Sequence, residues 1–326
     1  MAHTAALAGL DPSSWQRHAL HGQERIWLEK NCYIDIWIEL LHGLRLEPTA
    51  MLAFTLATDF EGDQWTFFKP SHEELRELYG IDVQEMYLWR PLLEHALEHL
   101  GGGKFISTEA DAYWLPDTAG TDYRIQHTKT TIVLNEIDLP ARRLGYFHNA
   151  GYHTLAGEDF ASLMRLEAAP DAAFMPLYAE LIRVDRLQRQ PLTALRLASR
   201  ALLRKHLQRL PLRNPIRAFQ ERFDADLRAL TQSGLATYHL WAFGTLRQLG
   251  AASELASLYL DWLDDTPERL LHGAAEAYLQ IANLSKTFIL KAARAVNSAR
   301  TLDSAVLFEP MALAWEHAGA LLRARA

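Results

Sequence analysis

The chain has 326 residues, of which 49% are hydrophobic and 22% are charged, and its formal net charge is −7. This composition is typical of an ordinary globular protein that is long enough for two domains. No apolar run reaches the roughly 18 residues of a membrane span, and the first thirty residues lack the apolar core of a signal peptide. We therefore expect a cytoplasmic protein with no membrane partner.

The first 155 residues alternate strand-like runs with glycine and proline. Helices are predicted at 32–44, 71–79 and 84–100, the first of them with Asn31 as a natural N-cap. Short runs rich in β-branched and aromatic residues are predicted as strands: MLAFTLATDF at 51–60, WTFFKP at 65–70, KFISTEADAYWL at 104–115, TTIVLNEID at 130–138 and RRLGYFHNAGYH at 142–153.

Strand patterns almost vanish after residue 155. The segment 268–296 instead repeats apolar or small residues at spacings of three and four, which predicts a packed helix. We therefore predict an α+β protein with an α/β unit at 1–155 and an all-helical domain at 156–326.

The only cysteine, Cys32, lies in the first turn of the first predicted helix. A single cysteine excludes an internal disulfide and any zinc site built from cysteines. Its position favours the thiolate, because the helix N-terminus carries partial positive charge and unpaired backbone N–H groups. The same N–H groups can stabilise an oxyanion, so thiol-dependent acyl transfer is a possible function.

Residues 111–151 supply possible partners for that thiol. His127 precedes one predicted strand, and the next predicted strand ends in His148 and Asn149. A base near one strand and an amide near its neighbour is the layout of a Cys/His/Asn site, since the third group must orient the imidazole. His148 is an alternative base, and Asp111 and Asp138 are alternative orienting groups.

Metal and nucleotide chemistry have little support. The segment HALEH at 95–99 matches the H-x-x-E-H pattern of inverted zinc peptidases. The same helix buries its leucines, however, which should turn His95 and His99 toward solvent. No Walker loop or G-x-G-x-x-G motif is present. We predict no metal site and no nucleotide cofactor.

Several segments together resemble a known family: NCYIDIWIELLH, DFEGDQWTFFKP, LPDTAGTDYR and GYFHNAGY. They are similar to a bacterial domain family of unknown function from gene neighbourhoods that contain amino acid:carrier-protein ligases. More remotely, the N-terminal helical cysteine, the D-x-Y-x-L-P stretch and the histidine before a strand resemble the papain-like carrier-protein acyltransferases of the butirosin-biosynthesis type.

The resemblance implies a papain-like cysteine-enzyme N-terminal unit with Cys32 as nucleophile, His127 as base and Asn149 as orienting group. It further implies transfer of an acyl or aminoacyl group from a carrier protein to a small-molecule or aminoacyl amine, with the phosphopantetheine arriving on the carrier. Five residues are expected to bind substrate: Asn31, Trp65, Asp111, Trp114 and Tyr123.

A basic segment could dock the acidic carrier. Residues 183–217 contain ten Lys or Arg and one acid. We expect docking at Arg196, Arg200, Arg204 and Lys205, although a solvated helix face explains the pattern equally. RNA binding is disfavoured because aromatic residues are absent from the segment. Two other functions stay open, a cysteine peptidase or amidase and a non-catalytic binding protein.

Overall fold

A computed structural model describes residues 3–168 and 175–324. The chain folds into two compact units. The first comprises Met1–Gly22, Asn31–Pro48 and Ser71–Arg189, and the second comprises Gln23–Lys30, Thr49–Pro70 and Gln190–Ala326. The predicted mixed α+β class is confirmed.

An antiparallel sheet forms the centre of the first unit. Within the described residues its strands are β1 (His3–Ala5), β2 (Asp82–Glu85), β3 (Phe105–Asp111), β4 (Lys129–Asp138), β5 (Arg143–His148), β6 (Gly151–Ala156) and β7 (Ala179–Arg183). Their order is β2-β7-β3-β4-β5-β6, and β1 pairs with the end of β4 beyond β3. β7 lies between β2 and β3 in this sheet, and the last passage between the units falls at 189/190, whereas the predicted division was at 155/156.

The helices of the first unit are α1 (Cys32–Gly43), α2 (His72–Tyr79), α3 (Leu92–Gly101) and α4 (Glu158–Leu163). Local sequence explains their ends. The Ser71 side chain accepts a hydrogen bond from the Glu74 N–H at 3.2 Å, and Gly80 ends α2 in the left-handed region at φ 69°. Pro91 cannot continue a helix from upstream, so the predicted helix at 84–100 divides into the end of β2 and α3.

The second unit is helical from α5 onward. Its described helices are α5 (Leu192–Leu207), α6 (Pro215–Ser233), α7 (Leu235–Gly244), α8 (Leu246–Leu263), α9 (His272–Ser298) and α10 (Ala305–Arg323). The predicted helix at 268–296 corresponds to α9. Gly250 of α8 must be glycine, since a Cβ there would collide with the Trp27 indole.

Two predicted strands are wrong. Pro48–Ala57 forms a 3₁₀ helix, in which the Thr55 hydroxyl donates to the Leu52 carbonyl at 2.7 Å. A short, continuously buried apolar run has no periodicity that would separate strand from helix. In residues 65–70, all of which the structure describes, only an isolated bridge between Phe60 and Trp65 has strand character. No described helix is long and apolar enough to cross a membrane.

The predicted outward orientation of the α3 histidines is wrong for His95. His95 is 5% exposed, because the Trp89 ring lies across it at 6.0 Å between centroids. On its other side the ring of His99 stacks at 6.3 Å. A long side chain from the preceding loop therefore covers the face that the leucine spacing left open.

A buried ion-pair cluster fixes the N-terminal segment to α1. Nδ1 of His21 lies 2.5 Å from Glu39 and Nε2 lies 3.0 Å from Asp35. The Trp15 indole N–H donates to Glu39 at 2.8 Å. Burial by itself would lower the pKa of His21, but Asp35 and Glu39 raise it above its ordinary value. Burial would likewise raise the pKa of Glu39, but His21 lowers it.

We expect His21→Asn to lower the free energy of unfolding by about 3–5 kcal/mol, because it leaves buried carboxylates without their cation. The loss should be greatest between the ordinary pKa values of Glu39 and His21, 4.5 and 6.5. Above that window His21 loses its proton as the pH passes its raised pKa, and below it Glu39 gains one as the pH passes its lowered pKa.

Urea unfolding of the variant and the wild-type chain across pH 3 to 9 measures this effect. The control is His3→Asn, since His3 pairs with Glu136 at an exposed site. Equal losses in the two variants would contradict the assignment.

Candidate active site

Cys32 is the first residue of α1 and is half-buried. Asn31 precedes it as N-cap, and its side-chain oxygen accepts a hydrogen bond from the Ile34 N–H at 3.3 Å. Asn31, expected to bind substrate, thus caps the N-terminus of α1. The thiol has no hydrogen-bond partner among the described residues. It lies in the first turn, where backbone N–H groups lack partners within the helix.

The α1 helix covers one face of the sheet, which we call the thiol face. The Tyr33 hydroxyl donates to Glu180 of β7 at 2.9 Å, and a Cβ at Gly43 would contact Phe147 of β5 at 3.2 Å. Residues directly opposite each other in an antiparallel sheet share a face. The pairs Glu180–Ser107, Ser107–Val133 and Val133–Phe147 therefore define the thiol face across four strands.

Asp111 and Lys129 belong to the same face by the two-residue alternation of a strand. They pair directly at the ends of β3 and β4. An ion pair of 3.2 Å between Glu109 and Lys129 agrees with this orientation. The helix that carries Cys32 and the carboxylate of Asp111 therefore lie on one side of the sheet.

His127, the predicted base, is held by that carboxylate. Its Nδ1 lies 2.6 Å from Asp111, and its ring stacks on Tyr113 at 4.4 Å with an angle of 17°. The side chain is 70% exposed. In the part of the chain that the structure describes, Nε2 has no partner. A neutral imidazole that donates through Nδ1 presents Nε2 as a proton acceptor, which is the tautomer a general base needs.

Asn149, the predicted orienting group, lies in the turn between β5 and β6 with φ 47°. Asparagine tolerates this left-handed conformation better than most residues. The contact expected of it is made instead by Asp111, which the sequence left as an alternative. No hydrogen bond joins Cys32 to His127 or Asn149 within the described ranges. The catalytic role of these residues stays a prediction.

His148, the alternative base, points to the opposite face. Its Nε2 lies 2.8 Å from the Thr130 hydroxyl and its Nδ1 lies 2.6 Å from Asp117. The Tyr146 hydroxyl donates to the other oxygen of Asp117. Thr130 and Tyr146 share their face with the main apolar cluster of this unit, which α3 and α4 cover. His148 is therefore separated from α1 by the thickness of the sheet.

The buried hydrogen bonds that link Thr130, His148, Asp117 and Tyr146 anchor the segment that supports His127. Asp117 lies in the 3₁₀ helix Pro116–Thr118, and Tyr113 lies just before it in the 3₁₀ helix Ala112–Trp114. Burial alone would raise the pKa of Asp117, but the hydrogen bond and charge of His148 bring it below its ordinary value. The Asp117 carboxylate is thus stabilised in its charged form. It is a fixed hydrogen-bond acceptor in the segment that follows Tyr113, the residue on which His127 stacks.

A second cluster on the thiol face was missed by sequence reasoning. Glu180 is 1% exposed and accepts hydrogen bonds from Tyr33 at 2.9 Å and Tyr178 at 3.0 Å. Nε2 of His72 lies 3.3 Å from the same carboxylate and 3.2 Å from the Tyr33 hydroxyl. Burial and the Glu180 charge raise the pKa of Tyr33, and burial with its hydrogen bond to Glu180 raises that of Tyr178 to about 12. The only signal for this cluster in the sequence was that Tyr33 directly follows Cys32.

The other expected substrate-binding residues are dispersed. Trp65 is buried in the second unit against Phe60 and Phe219. The Tyr123 hydroxyl donates to Asp159 at 2.9 Å. Trp114 packs under the Arg124 guanidinium at 4.6 Å and borders a cleft of about 620 Å³ in the first unit. Only Asn31 and Asp111 among the five are placed at Cys32 or His127.

The expected docking residues fall into two groups on α5. Arg196 donates to the Trp262 carbonyl at 3.1 Å, and Arg200 donates to the Leu263 carbonyl at 2.9 Å. Both guanidinium groups therefore stabilise the second unit. Arg204 and Lys205 are exposed near the end of the helix. The basic segment also crosses the boundary between the two units at 189/190.

Groups of three or more His, Cys, Asp or Glu side chains with metal-binding geometry are absent from the described residues. The candidate features of the thiol face are the helix-terminal thiol of Cys32 and two histidine–carboxylate pairs, His127–Asp111 and His72–Glu180.

The fold and this site define a two-unit α+β protein with a candidate thiol centre in its first unit. Two family models match the sequence, described as the DUF1839 N-terminal domain over residues 16–184 and the DUF1839 C-terminal domain over residues 193–324. The chain belongs to the DUF1839 family, and the predicted membership of a domain family of unknown function is confirmed. No curated protein matches it.

We expect Asp117→Asn to lower the free energy of unfolding at pH 7 by about 3 kcal/mol, because it removes the buried carboxylate to which both His148 and Tyr146 are hydrogen-bonded. The control is Glu167→Gln, whose exposed carboxylate pairs with Arg142 at 3.3 Å, with a change below about 0.5 kcal/mol. Urea unfolding measures both. Equal stability of the two variants would show that the buried hydrogen bonds of Asp117 contribute nothing to the free energy of unfolding.

Proposed function

We propose that the protein transfers an acyl or aminoacyl group from the thioester of a carrier protein to an amine, through an acyl-enzyme on Cys32. One observation carries the proposal. The helix that begins with Cys32 covers the same face of the sheet as Asp111, and Asp111 holds His127 with Nε2 unpaired among the described residues. A thiol at a helix N-terminus and an oriented imidazole are the parts that thiol acyl transfer requires.

In the proposed reaction, Nε2 of His127 accepts the thiol proton and Sγ of Cys32 attacks the thioester carbon. The carbonyl electron pair moves to oxygen, and the resulting oxyanion is stabilised by backbone N–H groups in the first turn of α1. Collapse expels the carrier thiolate, which takes the proton from His127. The amine then attacks the acyl-enzyme, loses one proton and expels the Cys32 thiolate.

The remote papain-like resemblance supports the same chemistry. In that superfamily the nucleophile begins a helix, as Cys32 begins α1. The base usually lies within a strand, whereas His127 lies two residues before β4. The family match is silent on this relationship and on any link with carrier-protein ligases, so both belong to the proposal.

Hydrolysis by the same residues is the second candidate. The His127 side chain is 70% exposed, so water can reach the base. A cysteine peptidase or amidase would pass its acyl group to water instead of an amine. Analysis of the products in the presence of a saturating amine separates the two reactions.

Loss of the thiol should abolish covalent chemistry. We expect the wild-type chain, incubated with aminoacyl-loaded carrier proteins, to gain the mass of the acyl group, and Cys32→Ala to gain none. Intact-protein mass spectrometry measures the adduct. Unchanged circular dichroism would show that the variant is folded.

A wild-type chain that gains no mass with any loaded carrier would contradict the proposal. If its thiol also resists iodoacetamide until unfolding, the protein is better explained as a non-catalytic binding protein.

Docking of an acidic carrier should depend on the exposed cations of α5. We expect the double variant Arg204→Glu/Lys205→Glu to slow carrier association at least ~10-fold at low salt, because attraction becomes repulsion. The control is Arg228→Glu, an exposed charge reversal on α6. Stopped-flow association at two salt concentrations measures the rates. Equal rates in both variants would exclude α5 as the docking surface.

A further inference from the structure

We propose that His72 is a second base of this site and accepts the proton of the amine that attacks the acyl-enzyme, while Glu180, Tyr33 and Tyr178 position it. The inference rests on the proposed function and deepens it, since it assigns the acceptor half of the reaction to its own residues. His72 is the first residue of α2.

Glu180 is committed to holding its neighbours in place. It is 1% exposed, and its oxygens receive the hydroxyl groups of Tyr33 and Tyr178 and the Nε2 of His72 at 2.9, 3.0 and 3.3 Å. Burial would raise the pKa of Glu180, but His72 and the two hydroxyl groups bring it below its ordinary value. A carboxylate that is this deeply buried and already bonded to three donors is not accessible to a substrate, so its role is orientation.

The orientation fixes which nitrogen of His72 can react. Because the Tyr33 hydroxyl donates its proton to Glu180, Nε2 of His72 is the donor in its contact with that hydroxyl, and a neutral ring then carries its lone pair on Nδ1. The side chain is 34% exposed, and Nδ1 has no partner among the described residues. His72 therefore presents a proton acceptor to solvent, whereas His148 has both nitrogens bonded inside the core.

Its position suits the acceptor amine. Nε2 of His72 lies 3.2 Å from the hydroxyl of Tyr33, the residue that follows Cys32. Tyr33 and Glu180 meet on the thiol face, so His72 and the beginning of α1 share one side of the sheet. His127 is tied to Asp111, whose carboxylate is four strand positions from Ser107, the residue opposite Glu180. The two bases thus approach the thiol face from different places along β3.

Two bases allow each step its own proton acceptor. In the second step the amine nitrogen forms a bond to the acyl carbon, and its proton moves to Nδ1 of His72. The carbon–sulfur bond then breaks and the electron pair leaves with Cys32 as thiolate. The products are an amide and the regenerated thiolate, and the His72 proton passes to solvent.

The test separates acylation from transfer. Cys32 is acylated with an aminoacyl N-acetylcysteamine thioester, which needs no carrier docking, and the adduct is followed by mass spectrometry before and after addition of an amine. We expect His72→Ala to form the adduct within about 2-fold of the wild-type rate and to transfer it to the amine about 10²-fold more slowly. Added imidazole should restore part of the transfer rate, which a structural defect would not allow.

The matched control is His3→Ala, another histidine paired with a carboxylate, at 2.8 Å from Glu136. It should transfer at the wild-type rate. Glu180→Gln should slow transfer more than it slows acylation, since it loosens the hold on Nε2 of His72 and also on Tyr33. Iodoacetamide labelling of Cys32 at the wild-type rate in His72→Ala would show that the first turn of α1 is intact.

Each outcome decides between the two proposals. Transfer by His72→Ala at the wild-type rate, or equal loss of acylation and transfer without imidazole rescue, overturns the role of His72 and leaves the Cys32 acyl-enzyme standing. If only hydrolysis of the adduct slows, the acceptor is water and the assignment to an amine is overturned. If neither an aminoacyl-loaded carrier protein nor the N-acetylcysteamine thioester acylates the wild-type chain, the proposed function is overturned, and the role of His72 with it.

Discussion

The packing of α1 on one face of the antiparallel sheet is the constraint from which the site follows. Once Tyr33 and Gly43 fix the helix to that face, the alternation of side chains along each strand decides which residues can serve the thiol. Asp111 is on the thiol face. Thr130, one position from Thr131 along β4, is on the other, together with His148. A layer packed on a sheet lies about 10 Å from it. A side chain on one face therefore cannot hydrogen-bond to a helix packed on the other face.

Buried charges hold α1 in place at two points. Glu180 binds Tyr33 at its beginning, and His21 and Trp15 bind Glu39 in its last turns. Burying carboxylates is costly unless each has donors, and here each has several. A shifted helix would leave unpaired charge in the core, so these contacts favour one position of α1. A nucleophile at the end of this helix is therefore supported by groups that need not touch substrate.

The two units agree with the two family models. The first model ends at 184 and the second begins at 193, on either side of the structural boundary at 189/190. The second unit also includes Gln23–Lys30 and Thr49–Pro70 from the first half of the sequence. A sequence division at one point could not represent this arrangement. It also explains why Trp65, close to Cys32 in sequence, belongs to a different core.

The sequence by itself determined the local features: the start of α1 after Asn31, the strands β4 and β5, and the helical character beyond α5. These depend on capping and periodicity, which a short window of residues contains. Only the tertiary structure decided that His127 pairs with Asp111, that His148 faces away from α1, and that Glu180 reaches Tyr33 across 147 positions. Strand register sets these contacts. It depends on pairing between distant segments, and a shift of one residue would move every side chain to the other face.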